Sequence, residues 1–213
     1  MRVRFAADVA YVEFCDSIRL DCNAAVHGLD RRLLGSPPAW LVETVAAYST
    51  LAVTFDPRRA GRPEVEAALR RLASSAGAKA ERDGEAVLIR TRYGGEDGPD
   101  LGAVARRAGL SERQVVEIHA GRTYTCYMLG FTPGFVYLGD LDPRIAAPRL
   151  DTPRTRVPAG SVGIAGGQTG VYGVESPGGW LLIGRAAEAH FDPSRNPPSM
   201  VKPGDRVRFV EVR

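Results

Sequence analysis

The sequence predicts an α+β protein in two parts: a ferredoxin-like α/β domain over residues 1–92, then over residues 93–213 a β-barrel or sandwich that opens with a short helical hairpin. Three observations predict it. In the first part, strand-like apolar runs and two helical periods follow in the order β-α-β-β-α-β, the split unit of ferredoxin-like domains. From Arg122 onward no long helical period recurs, and short apolar runs alternate with Gly/Pro turns. Between the two parts, Gly94-Gly95-Glu96-Asp97-Gly98-Pro99 reads as a loop and a domain boundary.

Val9 to Phe14 carries apolar, β-favouring residues and reads as a strand. Ser17 to Leu34 reads as a helix because Ile18, Cys22, Ala25, Leu29 and Leu33 recur at helical spacing, and Gly35-Ser36-Pro37-Pro38 ends it. Trp40 to Ala46 and Ser49 to Phe55 read as strands, followed by a turn at Asp56-Pro57. Arg62 to Ala76 is a second helix, with Pro63 in its first turn and Val65, Leu69 and Leu72 on one face. Ala86 to Thr91 completes the unit as its last strand. Two short helices follow, Leu101 to Ala108 and Ser111 to His119; Ser111 with Gln114 three residues on makes a capping-box pattern. The remaining strands are Thr123 to Leu129, Phe135 to Leu138, Val162 to Ala165, Trp180 to Gly184 and Arg206 to Val212, the last entered through the tight turn Pro203-Gly204-Asp205.

Composition narrows the function classes. A net charge of +3, from 28 basic and 25 acidic residues, is too balanced to point to nucleic acid or a membrane by charge alone. Lys79 and Lys202 are the only lysines among the 28 basic residues, a bias that genomic base composition explains before any phosphate-binding role does. Cys15, Cys22 and Cys126 are odd in number and match no zinc or redox spacing, so reduced, mostly buried thiols in a reducing cytosol are expected. Asp8 interrupts any signal-like apolar run, and no stretch approaches the roughly 20 apolar residues of a membrane helix. The expectation is a cytoplasmic protein without a metal site.

Several motifs have both a functional and a structural reading. Leu101 to Val116 resembles a DNA-binding helix-turn-helix, but its second helix carries Glu112, Glu117 and only Arg113 as a cation, too little for phosphate contacts. A structural helical hairpin is the better reading. Val162 to Thr169 is a near miss to a P-loop, with Val162 where Gly belongs and Gln168 where Lys belongs. Its glycine amides fit either an anion-binding nest or a tight barrel turn. Arg154 and Arg156 lie between Pro153 and Pro158 in an extended segment, where alternation sets both guanidinium forks on one side, as a carboxylate or phosphate clamp or as two structural ion pairs. His119 is a helix-end residue or a proton-transfer group. Phe131, Phe135, Tyr137 and Trp180 read as core or pocket wall. Glu175 and Ser176 offer a base and a hydrogen-bonding group. No nucleophile elbow and no Cys-His or Ser-His-Asp signature is present.

Taken in order, these segments resemble one family. They are Tyr93-Gly-Gly-Glu-Asp-Gly-Pro-Asp-Leu101, Gly109-Leu-Ser with His119, Gly130-Phe-Thr-Pro-Gly-Phe135, Pro153-Arg-Thr-Arg-Val-Pro-Ala-Gly-Ser-Val162, Ala165-Gly-Gly-Gln-Thr169, Ser176-Pro-Gly-Gly-Trp180 with Ile183-Gly-Arg185, and Pro203-Gly-Asp205. The chain is similar over nearly its whole length to the allophanate hydrolase subunit 1 family, which includes the sporulation-kinase inhibitor KipI. Val136, Asp140, Gly173 and Ala186 depart from the residues usual beside these motifs. The resemblance implies a small α/β N-terminal domain and a cyclophilin-like C-terminal barrel. It implies a subunit of an ATP-dependent cyclic-amide hydrolase, inactive alone, that opens 5-oxoproline to glutamate with a subunit 2 family protein (PxpC-like) and a LamB/YcsF-type protein (PxpA-like). ATP would be a co-substrate shared with those partners. A KipI-like kinase inhibitor and an allophanate or urea-derivative amidohydrolase subunit are the alternatives.

The residues admit a matching chemistry. Arg154 and Arg156 would hold carboxylate or phosphate. The Gly166 and Gly167 amides with Gln168 and Thr169 would take developing oxyanion charge. His119 would orient or transfer a proton, while Phe131, Pro133, Phe135 and Ser176 would line the substrate.

Overall fold

Two units, Met1–Glu81 and Arg82–Arg213, make up the chain, and each encloses its own apolar core. The structure, a computed structural model, describes residues 1–74 and 85–213. The last two residues of the expected second helix, Ser75 and Ala76, lie outside the described residues.

The first unit runs β1 (Arg2–Ala6), β2 (Val9–Glu13), α1 (Leu20–Gly35), β3 (Leu41–Ala46), β4 (Thr50–Phe55), α2 (Arg62–Ser74). Its sheet has the order β1-β2-β4-β3, every pair antiparallel. Alternation sends Ala10 and Val12, then Leu51, Val53 and Phe55, into a core with Val26, Leu29 and Leu33 of α1 and Val65 and Leu69 of α2. On β1, Val3 and Phe5 pack against that core while Arg2 and Arg4 reach Glu13. The split βαββαβ unit expected here is therefore changed in one respect. The strand predicted at Ala86–Thr91 is absent from this sheet, and β1 holds the edge beside β2 instead. An apolar strand reads the same whichever sheet it joins. The signal for β1 was the alternation Arg2-Val3-Arg4-Phe5 ahead of a two-residue turn.

α1 begins at Leu20 rather than Ser17, which leaves Ile18 outside it and half exposed. Cys15 and Cys22 are joined as a disulfide, with Cα atoms 6.1 Å apart, against the expectation of three reduced thiols. The first turn of α1 brings Cys22 back beside Cys15, a proximity that sequence spacing alone does not reveal.

The second unit runs β5 (Val87–Tyr93), α3 (Leu101–Ala108), α4 (Glu112–Ala120), β6 (Thr123–Leu129), β7 (Val136–Leu138), β8 (Arg154–Val157), β9 (Ser161–Ala165), β10 (Gln168–Val171), β11 (Ser176–Gly178), β12 (Leu181–Ala186), β13 (Arg206–Glu211). Seven of these close a barrel in the order β10-β7-β6-β13-β5-β12-β9, and β8 pairs with β11 outside it. β5 belongs here: it lies parallel to β13 from Val87↔Val207 to Thr91↔Glu211 and antiparallel to β12. The chain is thus of mixed α+β class with a closed barrel as its second part.

α3 and α4 form the expected structural hairpin. Ser111 caps α4 in a complete capping box with Gln114, and Gly109, at φ 66°, ends α3 in the left-handed conformation that favours glycine. Leu101, Val104, Ala105, Val115 and Val116 join the barrel's core cluster, so the apolar faces of both helices are used on the barrel. The exposed face of α4 carries Glu112 and Glu117, and its one arginine, Arg113, is paired with Glu117 and Glu211, which leaves little for a phosphate to meet.

Cys126 is the free cysteine, fully buried in β6, and burial pushes its thiol pKa well up. The native protein is therefore expected to be silent in a thiol titration without reductant, with one thiol reacting after unfolding in urea. Three reactive thiols after unfolding would contradict the Cys15–Cys22 link.

Candidate functional site

The motif residues gather on one stretch of barrel wall, β7, β10, β9 and β12, and sort onto its two faces by strand alternation. Val136 and Leu138, Val162 and Ile164, Val171, and Leu181 and Ile183 belong to the interior cluster. On the opposite face, Ala165 and Leu182 belong to a second cluster with Phe135, Val157, Tyr172 and Trp180, against which Tyr137 packs. A wall buried on both faces needs room on the outer one, and two glycines supply it. A Cβ on Gly170 would come within 2.7 Å of Val136 O and 3.0 Å of the Phe135 ring, and a Cβ on Gly163 within 3.0 Å of Trp180. Phe135 meets Trp180 at 5.4 Å, Tyr172 at 4.8 Å and Tyr137 at 4.6 Å between ring centroids, and Tyr137 meets Trp180 edge-on at 5.8 Å.

The loop from Gly130 to Phe135 feeds this layer. Gly130 N–H donates to Phe135 O, Phe135 N–H donates to Thr132 O, and His190 Nε2 bonds Gly134 O. Phe131 stands out from it at φ 68°, 63% exposed, with its ring edge-on to Phe135 at 5.7 Å. A non-glycine residue at that φ is held by its surroundings. Pro133 is exposed beside it.

On the inner face His119 and Thr169 are brought together at 2.8 Å between Nε2 and Oγ1. Tyr93 Oη lies 2.7 Å from His119 Nδ1, and Thr169 Oγ1 lies 3.0 Å from Gly163 O. A carbonyl only accepts, so Thr169 donates to Gly163 O and accepts from Nε2–H. Nδ1 then accepts from the Tyr93 hydroxyl. The four groups form one directed chain in which His119 is neutral and fully buried, its ring 4.5 Å from that of Phe209. Burial holds the His119 pKa down to about 3 and raises that of Tyr93. This geometry ties α4 to β5 and β10 and leaves neither ring nitrogen of His119 free.

The two arginines of β8 do not form a common clamp. Arg154 donates to Asp100 Oδ1 at 2.7 Å, and Asp100 Oδ2 accepts from Leu182 N–H at 2.7 Å, so this pair fastens the residue before α3 to β12. Arg156 pairs with Glu175 at 2.7 Å with 76% of its side chain exposed. Burial along β8 runs half-buried, exposed, exposed, buried, without the period of two that was expected to align the forks.

Gly166 and Gly167 form the two-residue hairpin turn between β9 and β10, with Gly166 at φ 57°, the sign required at the first position of a type II′ turn. Gly166 N–H donates to Ala147 O at 2.7 Å, and Gly167 O accepts from Leu141 N–H. The turn reading therefore fits, and of the two glycine amides that of Gly166 is already taken. Gln168 and Thr169 are neighbours on a strand and take opposite faces, Thr169 inward and Gln168 half-buried across from Ala165. Ser176, on β11 opposite Val157, is buried with no hydrogen-bond partner for its Oγ among the described residues. Sequence reasoning missed Asp100 as the partner of Arg154, Tyr172 within the aromatic layer, and Arg149, whose guanidinium lies 6.0 Å from the centre of the Trp180 ring. No local pattern marks any of the three. Among the described residues no group of three His, Cys, Asp or Glu is placed to hold a metal, and no helix is long and apolar enough to cross a membrane.

The fold and this two-sided wall define a barrel protein with a layer of aromatic rings on the outside of the barrel. The chain belongs to the family described as carboxyltransferase domain, subdomain C and D, which it matches over residues 1–201. It is 40% identical over 215 aligned residues to a Bacillus subtilis (strain 168) protein named as a subunit of 5-oxoprolinase, covering 94% of this chain and 88% of that one. Among solved structures it is similar to TTHA0988, with a TM-score of 0.86 at 40% identity over 100% of this chain; the chain spans only 40% of that protein's length. The Kluyveromyces lactis urea amidolyase shares the fold, with a TM-score of 0.75 at 20% identity over 99% of this chain and 15% of that one. The resemblance read from the motifs agrees with these relatives.

Two outcomes follow from the geometry. Unfolded His119 binds a proton near its ordinary pKa of 6.5 and the folded protein does not until about 3, so stability is expected to fall as pH falls through that window. The slope due to this group is at most about 1.4 kcal/mol per pH unit. His190, also lowered by burial, adds in the same direction. Urea midpoints measured from pH 7 to 4.5 should therefore depend less on pH in His119→Gln than in the wild type, and parallel curves would count against the buried neutral ring. Arg154→Ala strands the half-buried Asp100 carboxylate and should cost about 1–3 kcal/mol. Arg156→Ala breaks an exposed pair and should stay within about 0.5 kcal/mol in the same unfolding assay.

Proposed function

We propose that this chain is a subunit of an ATP-dependent 5-oxoprolinase that opens 5-oxoproline to glutamate together with a subunit 2 family partner and a LamB/YcsF-type subunit. The observation that carries the reading is the 40% identity along 94% of this chain to a protein named as a 5-oxoprolinase subunit. The chemistry of the wall supports it. A lactam carbonyl is a poor electrophile, and transfer of a phosphoryl group from ATP to its oxygen creates a leaving group. Such a step depends on positioning and charge stabilisation more than on a protein nucleophile. The free cysteine, Cys126, is sealed in the core as a thiol and suits no nucleophilic role.

In this reading the outer face of the wall meets the substrate. Phe131, Pro133 and Gln168 would line it, with Phe135, 1% exposed, supporting Phe131 from beneath rather than touching substrate, and Ser176 Oγ as a buried hydrogen-bonding group. His119 and Thr169 act from the inner face as positioning residues that hold β10 in place. Arg154 does the same through Asp100, and Arg156 lies at the rim. The Gly166 amide is already engaged by Ala147 O, so ATP phosphates would rely on other groups, those of the partners included.

The test is 5-oxoproline-dependent ADP release by the chain reconstituted with its subunit 2 and LamB/YcsF-type partners. Omitting this chain should abolish release, and restoring it should bring release back. A stable complex that leaves 5-oxoproline untouched would overturn the reading in favour of another amide or a urea derivative.

A further inference from the structure

The backbone on either side of Arg149 is held by hydrogen bonds to the barrel wall. Two residues before it, Ala147 O accepts from Gly166 N–H at 2.7 Å, and Ala147 bridges to Gly166 as an isolated β-pair. One residue after it, Leu150 N–H donates to Gly179 O at 2.8 Å. The backbone at Arg149 is thus pinned on one side to the β9–β10 turn and on the other to the residue before Trp180. Its guanidinium lies over the Trp180 ring, which in turn meets Tyr137 and Phe135.

The cations near this layer differ in how they are compensated. Arg154 has Asp100, Arg156 has Glu175, and Arg92 and Arg185 share Asp97. Arg149 is exposed and makes no ion pair or hydrogen bond among the described residues. Burial raises the pKa values of Tyr137 and Tyr172, and the charge of Arg149 opposes both rises, so its field reaches into the aromatic layer. A guanidinium drawn to a ring by cation–π attraction still has N–H donors to give, and their fork matches a carboxylate.

We propose that Arg149, with the Trp180 and Tyr137 rings, forms a recognition subsite for the carboxylate of a small ring-bearing acid. The ring of the ligand lies against Tyr137, which is half-buried, and its carboxylate takes the guanidinium fork, while Trp180, only 5% exposed, lies beneath the guanidinium and holds it. Resting on the reading above, that ligand is 5-oxoproline, a five-membered lactam carrying one carboxylate. The carboxylate role that the sequence assigned to Arg154 and Arg156 passes to the arginine without a carboxylate partner.

Two measurements test this separately from the enzymatic reading. In the reconstituted complex, Arg149→Gln should raise KM for 5-oxoproline about 10- to 100-fold, the range expected for losing a charged hydrogen bond, with partial rescue by Arg149→Lys. An unchanged KM in an active complex overturns the subsite and leaves the oxoprolinase reading standing. The second measurement uses the isolated full chain carrying Trp40→Phe, in which Trp180 is the remaining tryptophan. Titration with 5-oxoproline, with cyclopentanecarboxylate and with 2-pyrrolidinone, which lacks the carboxylate, should quench Trp180 emission only for the two acids, and Arg149→Gln should remove that preference. If the complex does not turn over 5-oxoproline but cyclopentanecarboxylate still binds through Arg149, the oxoprolinase reading fails and the subsite stands. Equal responses to the acids and the neutral lactam, or none that depend on Arg149, overturn it.

Discussion

Consecutive residues of a strand go to opposite faces, and in β7, β9, β10 and β12 both faces are buried. The rest of the second unit depends on this constraint. A wall with apolar matter on both sides cannot alternate apolar and polar; it must alternate large and small. Val162, Ile164, Val171 and Ile183 fill the inside, and Gly163, Ala165 and Gly170 keep the outside low enough for Phe135 and Trp180 to lie on it. The glycines that look like loop residues in the sequence are therefore strand residues chosen for the ring above them. The polar groups obey the same division. Thr169 turns inward, where His119 and Gly163 O satisfy it, while Gln168 one residue earlier turns outward.

Elements marked by local chemistry were legible. The capping box at Ser111 and the left-handed Gly109 define the α3–α4 hairpin within a few residues of sequence, and β6 matches its predicted span. Elements defined by distant partners were not. β5 carries an ordinary apolar strand signal, but its parallel neighbour β13 begins more than a hundred residues later, so the first sheet claimed it. β10 was hidden because Gln168-Thr169-Gly170 follows two glycines and reads as a continuing loop. The aromatic residues were recognised as wall, but the split of His119 and Phe135 onto opposite faces needs the register of β9 against β10. The arginine clamp failed for the same reason: Asp100 lies 54 residues from Arg154, and nothing near Arg154 announces it.

Charge placement separates scaffold from surface in this unit. Asp100 takes Arg154 with one oxygen and the Leu182 amide with the other, so a single carboxylate joins α3, β8 and β12. Asp97 serves Arg92 and Arg185, which stand directly across from one another on β5 and β12 and would otherwise repel. In a chain whose basic residues are nearly all arginines, these shared carboxylates turn guanidinium forks into braces between strands.

The inner and outer faces of the wall also differ in what they allow chemically. Inside, a neutral chain of Tyr93, His119, Thr169 and Gly163 runs donor to acceptor with no charge to stabilise, as a closed core requires. A proton placed on His119 would have no counter-ion there, which is why burial alone drives its pKa down. Outside, the aromatic layer borders solvent at Phe131 and Arg149, so a ligand's apolar surface can be covered while its charge stays partly hydrated. At the proposed subsite, a ring bearing one carboxylate would meet that boundary with its ring covered and its charge at Arg149. Under the proposed reading this chain supplies orientation and charge recognition, and the bond-making reagent comes from ATP. A wall with rigid rings, tethered cations and no exposed nucleophile among its described residues is consistent with that division of labour.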